Sequence, residues 1–265
     1  MTLPGVREFY SQYYAEKGTD RNDLLQNPGV LFQVFAQDAA MIRALRSTGI
    51  SPPSARVLDV GCGDGASLWL LLRLGFEPSN LVGVDLQEER ILDARTRNPL
   101  LTFHCADATS LPFGDGSFDL TMESTMFIHA TEDSLATKIA AEMMRVTKPG
   151  GHLVLSDWRY AKPYNPHYKA VTAARIVDLF QVGTRTKVRG IFRGPLLPPA
   201  GRFLSRYCGW SYFAIQALFP FLAGHMITVL EKVDHSFWKS TTGADEHLDS
   251  QSLRRCSGPA IDENV

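Results

Sequence analysis

Apolar residues fall in two alternating rhythms from Arg56 onward. "RVLDV" (Arg56–Val60) is a short apolar run that stops at glycines, and "LVGVD" (Leu81–Asp85) is another. Such runs bounded by turn residues read as buried strands. Between and after them come segments of helical period. "QEERILDARTRN" ends at Pro99, and "DSLATKIAAEMMRV" carries Leu135, Ile139, Met143 and Val146 on one stripe before "KPGG" breaks it. "LTFHCAD", "FDLTM" and "HLVLSD" supply three more strands. Strand–helix alternation of this kind predicts an α/β fold, a mostly parallel sheet with helices on both faces. Ligands in such sheets bind at the carboxyl ends of the strands. Those ends hold Asp59, Asp85, Asp107, Glu123 and Asp157. One aspartate at a strand end is an ordinary turn residue; acids at all five ends of one rim predict a ligand site.

The flanks are less regular. An amphipathic helix over Leu31–Arg46 and the aromatic stretch "FYSQYYAEKG" predict an N-terminal helical cap over residues 1–50. The main domain then spans 51–233, and the polar composition of 234–265 reads as a disordered tail. A helix near Tyr168–Phe180 and strands near Arg185–Phe192 and from His225 complete the domain, with a Pro/Gly-rich insertion at about 193–224. No charged residue occurs from Tyr207 to Leu230. That stretch is apolar enough for a membrane span. Gln216, Pro220, Gly224 and His225 interrupt it, which favours a buried helix followed by a strand.

Composition narrows the class. The chain has 265 residues, 45% hydrophobic and 21% charged, with a net charge of −1. It can bury a core, and nothing points to nucleic acid as a partner. Cys62, Cys105, Cys208 and Cys256 are scattered, so neither a disulfide framework nor a metal site is expected. Without a secretory pattern at the N-terminus, a cytoplasmic enzyme is the expectation.

The chemistry concentrates in "VLDVGCGDGAS" (Val57–Ser67). Its glycines fit a dinucleotide fingerprint, because a tight turn that lets a ligand touch backbone excludes Cβ atoms. Asp59 and Asp64 argue against a pyrophosphate, which they would repel, and for a cationic ligand. Together with "VGVD", "ADATSLPFGDGSFDL" and "EMMRVTKPGGHLVLSD", the stretch resembles the class I S-adenosylmethionine-dependent methyltransferases, in order from about Val57 to Asp157. The resemblance implies a Rossmann-like, seven-stranded sheet whose last strand is antiparallel, with the insertion before that strand as a substrate lid. It implies S-adenosylmethionine as cofactor. Asp59, Gly61, Gly63 and Gly65 would form the methionine-end turn, and Asp85 with Leu86 would hold the ribose. Ala106, Asp107 and Ala108 would border the adenine. Glu123 and Ser124 would line the methionine side, and Tyr13 or Tyr14 would close over the cofactor. A nicotinamide-dependent dehydrogenase and a cofactor-binding protein without turnover are the competing classes.

The acceptor is read as a small molecule, with an oxygen of a sugar or secondary metabolite ahead of N- or C-methylation of a small molecule or lipid. His129, just past the fourth strand, is the candidate general base; a packing or helix-entry role is the alternative. Asp157, Arg159 and Tyr160 follow the fifth strand, where an acceptor should sit. The basic flank from Arg185 to Arg206 contains no Asp or Glu. It suits either an anionic acceptor or a solvated face.

Overall fold

A computed structural model describes residues 24–161 and 167–234. Seven strands form one sheet in the order β3-β2-β1-β4-β5-β7-β6. They are β1 (Val57–Val60), β2 (Leu81–Asp85), β3 (Thr102–Cys105), β4 (Phe118–Ser124), β5 (Thr147–Trp158), β6 (Thr186–Arg193) and β7 (His225–Lys232). β1 to β5 pair in parallel, while β7 lies antiparallel between β5 and β6. The parallel, doubly covered sheet and the antiparallel last strand both agree with expectation. The order reverses at β1 and β4, which is where a doubly wound sheet opens a crevice for ligands.

Side-chain alternation splits the strands between two cores. Leu58, Val60, Leu153 and Leu155 face one side, packed by helices α4 (Asp133–Val146) and α5 (Ala173–Phe180). Val57, Leu120, Met122, Val154 and Ile227 face the other side. That side is covered by α1 (Leu31–Thr48), α2 (Ala66–Arg73) and α3 (Glu88–Arg97). The stripe Ala36, Ala40, Met41, Ala44 and Leu45 buries α1, and Gly49 ends it in the left-handed region at φ 69°. "KPGG" ends α4 as expected, but its residues join β5 as a bulge: the pairing with β4 jumps from Thr147 to His152.

The apolar stretch Tyr207–Leu230 forms neither a span nor a buried helix. It runs through the end of α6 (Pro198–Tyr207), the seven-residue α7 (Tyr212–Leu218), a turn at Pro220 and then β7. Only Tyr212 of α7 is buried. Pro220 lacks the N–H needed to continue the helix. No helix among the described residues is long and apolar enough to cross a membrane. Residues 194–224 pack instead on α1. Ser205 Oγ accepts from Phe32 N at 3.1 Å and donates to Pro28 O at 2.7 Å, while the Tyr212 hydroxyl donates to Gln33 Oε1.

Candidate active site

A cavity of about 1160 Å³ opens along the carboxyl rim of the sheet. It runs from the turn after β1 to the loop after β5, roofed by α1 and the start of α6. One ligand usually occupies ~300–1,000 Å³, so the space suits two molecules side by side.

The first half is built by the glycine turn. Gly61, Gly63 and Gly65 all take positive φ (75°, 57° and 81°). Gly63 is hemmed in most closely: a Cβ there would meet the Arg90 guanidinium at 2.3 Å. Gly63 N donates to Asp85 Oδ2 and Gln87 N to Asp85 Oδ1, both at 2.9 Å. These bonds fix the Asp85 carboxylate at the end of β2 with lone pairs left over. Asp107 is held likewise by Thr109 N at 2.8 Å. Gly61, Gly63, Asp85, Leu86, Ala106, Asp107, Ala108 and Ser124 line the cavity.

Other predicted cofactor residues do not. Gly65 caps α2 and faces Phe103. Asp59 shares the sheet face of Val57, so it points beneath α2. It is 1% exposed, and neither carboxylate oxygen has a partner. Burial, reinforced by the Asp85 charge, pushes its carboxyl up to about 7. Tyr13 and Tyr14 lie outside the described residues.

The second half is the loop after β4. Thr125 holds a left-handed φ of 61°, unusual for a β-branched residue. Three buried side chains pin the loop from below. Glu123 Oε2 accepts from Met126 N at 2.9 Å, and Asp157 Oδ2 accepts from Ile128 N at 2.9 Å. Arg175, on α5, donates to the carbonyls of Phe127 and Lys169 at 3.1 Å and to that of Ala130. Burial raises both carboxylic acids, Asp157 to about 7, and the Asp157 charge raises Glu123 further. Contrary to expectation, neither reaches the cavity. Their strand positions, 123 and 157, put both on the α4/α5 face with Arg175. Arg159 also stays outside, its guanidinium 4.8 Å from the Tyr160 ring centroid; Tyr160 lines the cavity.

His129 does line it, beside Tyr168 at 4.8 Å between ring centroids. Burial lowers its pKa to about 4, against a hydrogen bond with the His167 backbone. A second histidine completes the site. His225, the first residue of β7, pairs with Trp158 because β7 runs antiparallel to β5. Its Nδ1 lies 3.4 Å from Ser156 Oγ and its Nε2 3.5 Å from Thr125 Oγ1. Ser156 Oγ accepts from Gln37 Nε2 at 2.7 Å. Burial lowers His225 to about 3. Both imidazoles are therefore neutral near pH 7. The basic flank does not converge here. Lys187 and Arg189 pair with Glu231 on the sheet, and of the six basic residues only Arg202 lines the cavity.

Residues 57–151 match the methyltransferase domain family. An uncharacterised methyltransferase of Synechocystis is 30% identical over 182 residues, 65% of this chain and 79% of its own. The chain belongs to the class I S-adenosylmethionine-dependent methyltransferases. A second Synechocystis relative, a 2-methyl-6-phytyl-1,4-hydroquinone methyltransferase, is 37% identical over 111 residues, 40% of this chain and 33% of that one. The chain spans less than half the length of this and the next two curated relatives it matches. Among solved structures, the 1,6-didemethyltoxoflavin-N1-methyltransferase of Burkholderia thailandensis superposes with a TM-score of 0.58 at 18% identity. The match covers 87% of this chain and 89% of that one, a likeness of fold.

The methyltransferase cofactor fits the first half. Asp64, Asp85 and Asp107 all line it, a set that accepts hydrogen bonds from a ribose diol and an adenine amino group and favours a cation. A pyrophosphate there would face three carboxylates, with Arg90 the cation alongside. The glycine turn leaves the floor bare of side chains. Among the described residues no group of His, Cys, Asp and Glu could hold a metal ion.

Several lining residues escape a reading of the strand-end motifs. Gln37 belongs to the cap, Arg90 to α3 and His225 to the far end of the insertion. The polar Gln37 within the apolar stripe of α1 is the one local signal. His225 carries none, because its place depends on β7 inserting between β5 and β6.

Proposed function

We propose that the protein transfers a methyl group from S-adenosylmethionine to an oxygen of an apolar small molecule, with His129 or His225 receiving the displaced proton. One observation carries this reading. A single cavity joins the glycine turn and Asp85 to two neutral histidines, His129 half-buried and His225 buried. The cofactor supplies a sulfonium-bound methyl group open to in-line displacement. The residues around it must chiefly align the acceptor and exclude water, which is worth ~7–11 kcal/mol.

Neutral imidazoles suit this task in two ways. Uncharged, they do not repel a sulfonium. An alcohol oxygen that is gaining a methyl group becomes strongly acidic, so even a base poised near 3 or 4 accepts its proton. Trp158, Leu197, Pro198 and Leu222 make the acceptor end apolar. That favours a ring or alkyl acceptor over a sugar. The relative named for a hydroquinone supports a second reading, methylation at a ring carbon, in which the same histidines would take the ring proton.

The test is incubation with methyl-labelled S-adenosylmethionine and panels of alkylated phenols, hydroquinones and sugars, with product structure read by mass spectrometry and NMR. An O-methyl product from the phenol or hydroquinone panel is expected. His129→Ala or His225→Phe should then lower kcat by up to ~10²–10⁴-fold, the range a general base supplies. Label appearing only in sugars, or unchanged kcat in both folded variants, would overturn the proposal; label on carbon would select the second reading.

A further inference from the structure

Residues 194–224 present two unlike sides. One packs on α1 through buried Tyr212 and Ser205. The rest is exposed and apolar: Phe203, Tyr207, Trp210, Phe213, Leu218 and Phe221 are between 44% and 89% exposed. A single exposed apolar side chain is ordinary. With Phe219, also 44% exposed, these make seven within one short segment, Trp210 at 89%, a surface that marks an interaction site.

Its charge says what meets it. No Asp or Glu occurs from Leu179 to Leu230, while α6 carries Arg202 and Arg206. The Arg206 guanidinium lies 5.4 Å from the Tyr207 ring centroid. Aromatic rings beside arginines, with no carboxylate among them, are the composition that seats in lipid headgroups. A second copy fits poorly, because a two-fold contact would set these arginines against one another with no acid between them. The surface also borders the cavity mouth. Arg202 and Leu222 line the cavity, and the Tyr160 hydroxyl, from the opposite wall, donates to Phe221 O at 3.0 Å.

We propose that Phe203–Phe221 is a docking face for an anionic lipid bilayer, seating the cavity mouth on the membrane so that an apolar acceptor enters from the lipid phase. The docking stands on the surface alone; the entry of an acceptor rests on the function proposed above.

The experiment is flotation of the full chain with vesicles of phosphatidylcholine, alone or mixed with phosphatidylglycerol. Partition should rise about five-fold with the anionic lipid, the exposed Arg206 contributing that much near a charged surface. Trp210→Ser with Phe221→Ser should cut it at least ~10-fold, since both side chains are exposed and would no longer enter the interface. Arg206→Glu should abolish the preference for anionic vesicles. Absence of binding to either vesicle, or binding indifferent to these changes, would overturn the proposal. So would a concentration-dependent dimer in light scattering that the Trp210→Ser, Phe221→Ser chain no longer forms. S-adenosylmethionine calorimetry on the same samples separates the two readings. Docking without cofactor binding would sink the proposed reaction and leave the docking face, and the converse would do the reverse.

Discussion

Arg175→Met replaces a buried guanidinium by an apolar chain of similar length. Arg175 is 8% exposed and donates to three carbonyls, those of Phe127, Ala130 and Lys169. Each orphaned carbonyl costs ~1–3 kcal/mol when water cannot reach it. Relief of the arginine's own desolvation, which lowers its pKa, offsets part of that sum. Breaking a buried charged network by removing one partner costs ~3–5 kcal/mol, and that is the expected loss. It is a large share of the ~5–15 kcal/mol that holds a domain together. With an m-value near the ~3 kcal/mol/M upper range, the urea midpoint should fall by ~1–1.7 M. Two of these carbonyls, those of Phe127 and Ala130, belong to the loop that carries His129. The folded variant should therefore show a raised acceptor KM and reduced kcat, with cofactor affinity near wild type, because Asp85 and the glycine turn lie on other elements. Urea denaturation followed by circular dichroism, with cofactor calorimetry alongside, checks both. A midpoint shift below ~0.3 M would refute the assignment of Arg175 as the pin beneath the loop.

Asp85→Ala removes a carboxylate that also anchors Gly63 N and Gln87 N; S-adenosylmethionine affinity should drop ~10- to 100-fold by calorimetry, as charged hydrogen bonds are worth ~1.5–3 kcal/mol, and an unchanged Kd in a folded protein contradicts the assignment. Stability should depend on pH in opposite senses for two groups. His129 and His225 sit at about 4 and about 3, below the ~6.5 of an unfolded chain. Their contribution is full above pH ~6.5 and is lost as pH falls toward those values. Asp59 and Asp157, raised to about 7 from 3.8, stabilise fully below 3.8 and lose that share as pH rises through about 7. His225→Phe should therefore remove up to ~1.4 kcal/mol per pH unit of acid sensitivity below pH ~6.5. Its melting temperature relative to wild type should rise as pH falls from ~6.5 to ~5; a constant difference over that range would show that His225 is not buried as a neutral imidazole.

The strand-end motifs were legible because their physics is local. A glycine turn needs bare Cα positions within a few residues, and Asp85 reaches that turn through the next strand over. That Tyr160 and His129 border the cavity was legible for the same reason, since each lies in a segment that follows a strand. Asp157 and Glu123 misled because strand parity, and not nearness to the rim, decides which face a side chain takes. Two buried carboxylic acids at the right end of the sheet turn inward, beneath the loop after β4, Asp157 beside Arg175. The Tyr207–Leu230 stretch misled because low charge says nothing about cover: an apolar segment can lie exposed when only part of it finds a partner, here α1.

The antiparallel last strand was reached only through what the methyltransferase likeness implies; sequence by itself determined the parallel α/β core and the glycine turn with its acidic rim. Those features rest on period, turn chemistry and a motif contained within about a hundred residues, to which the methyltransferase likeness also belongs. Tertiary structure alone brought His225 and Gln37 to the acceptor end. β7 enters between β5 and β6 and brings His225 beside Ser156 and Trp158, about seventy residues earlier in the chain. α1 folds over the same rim and delivers Gln37, more than a hundred residues before Ser156. Contacts across such separations are set by which faces bury against which, and no spacing along the chain encodes them.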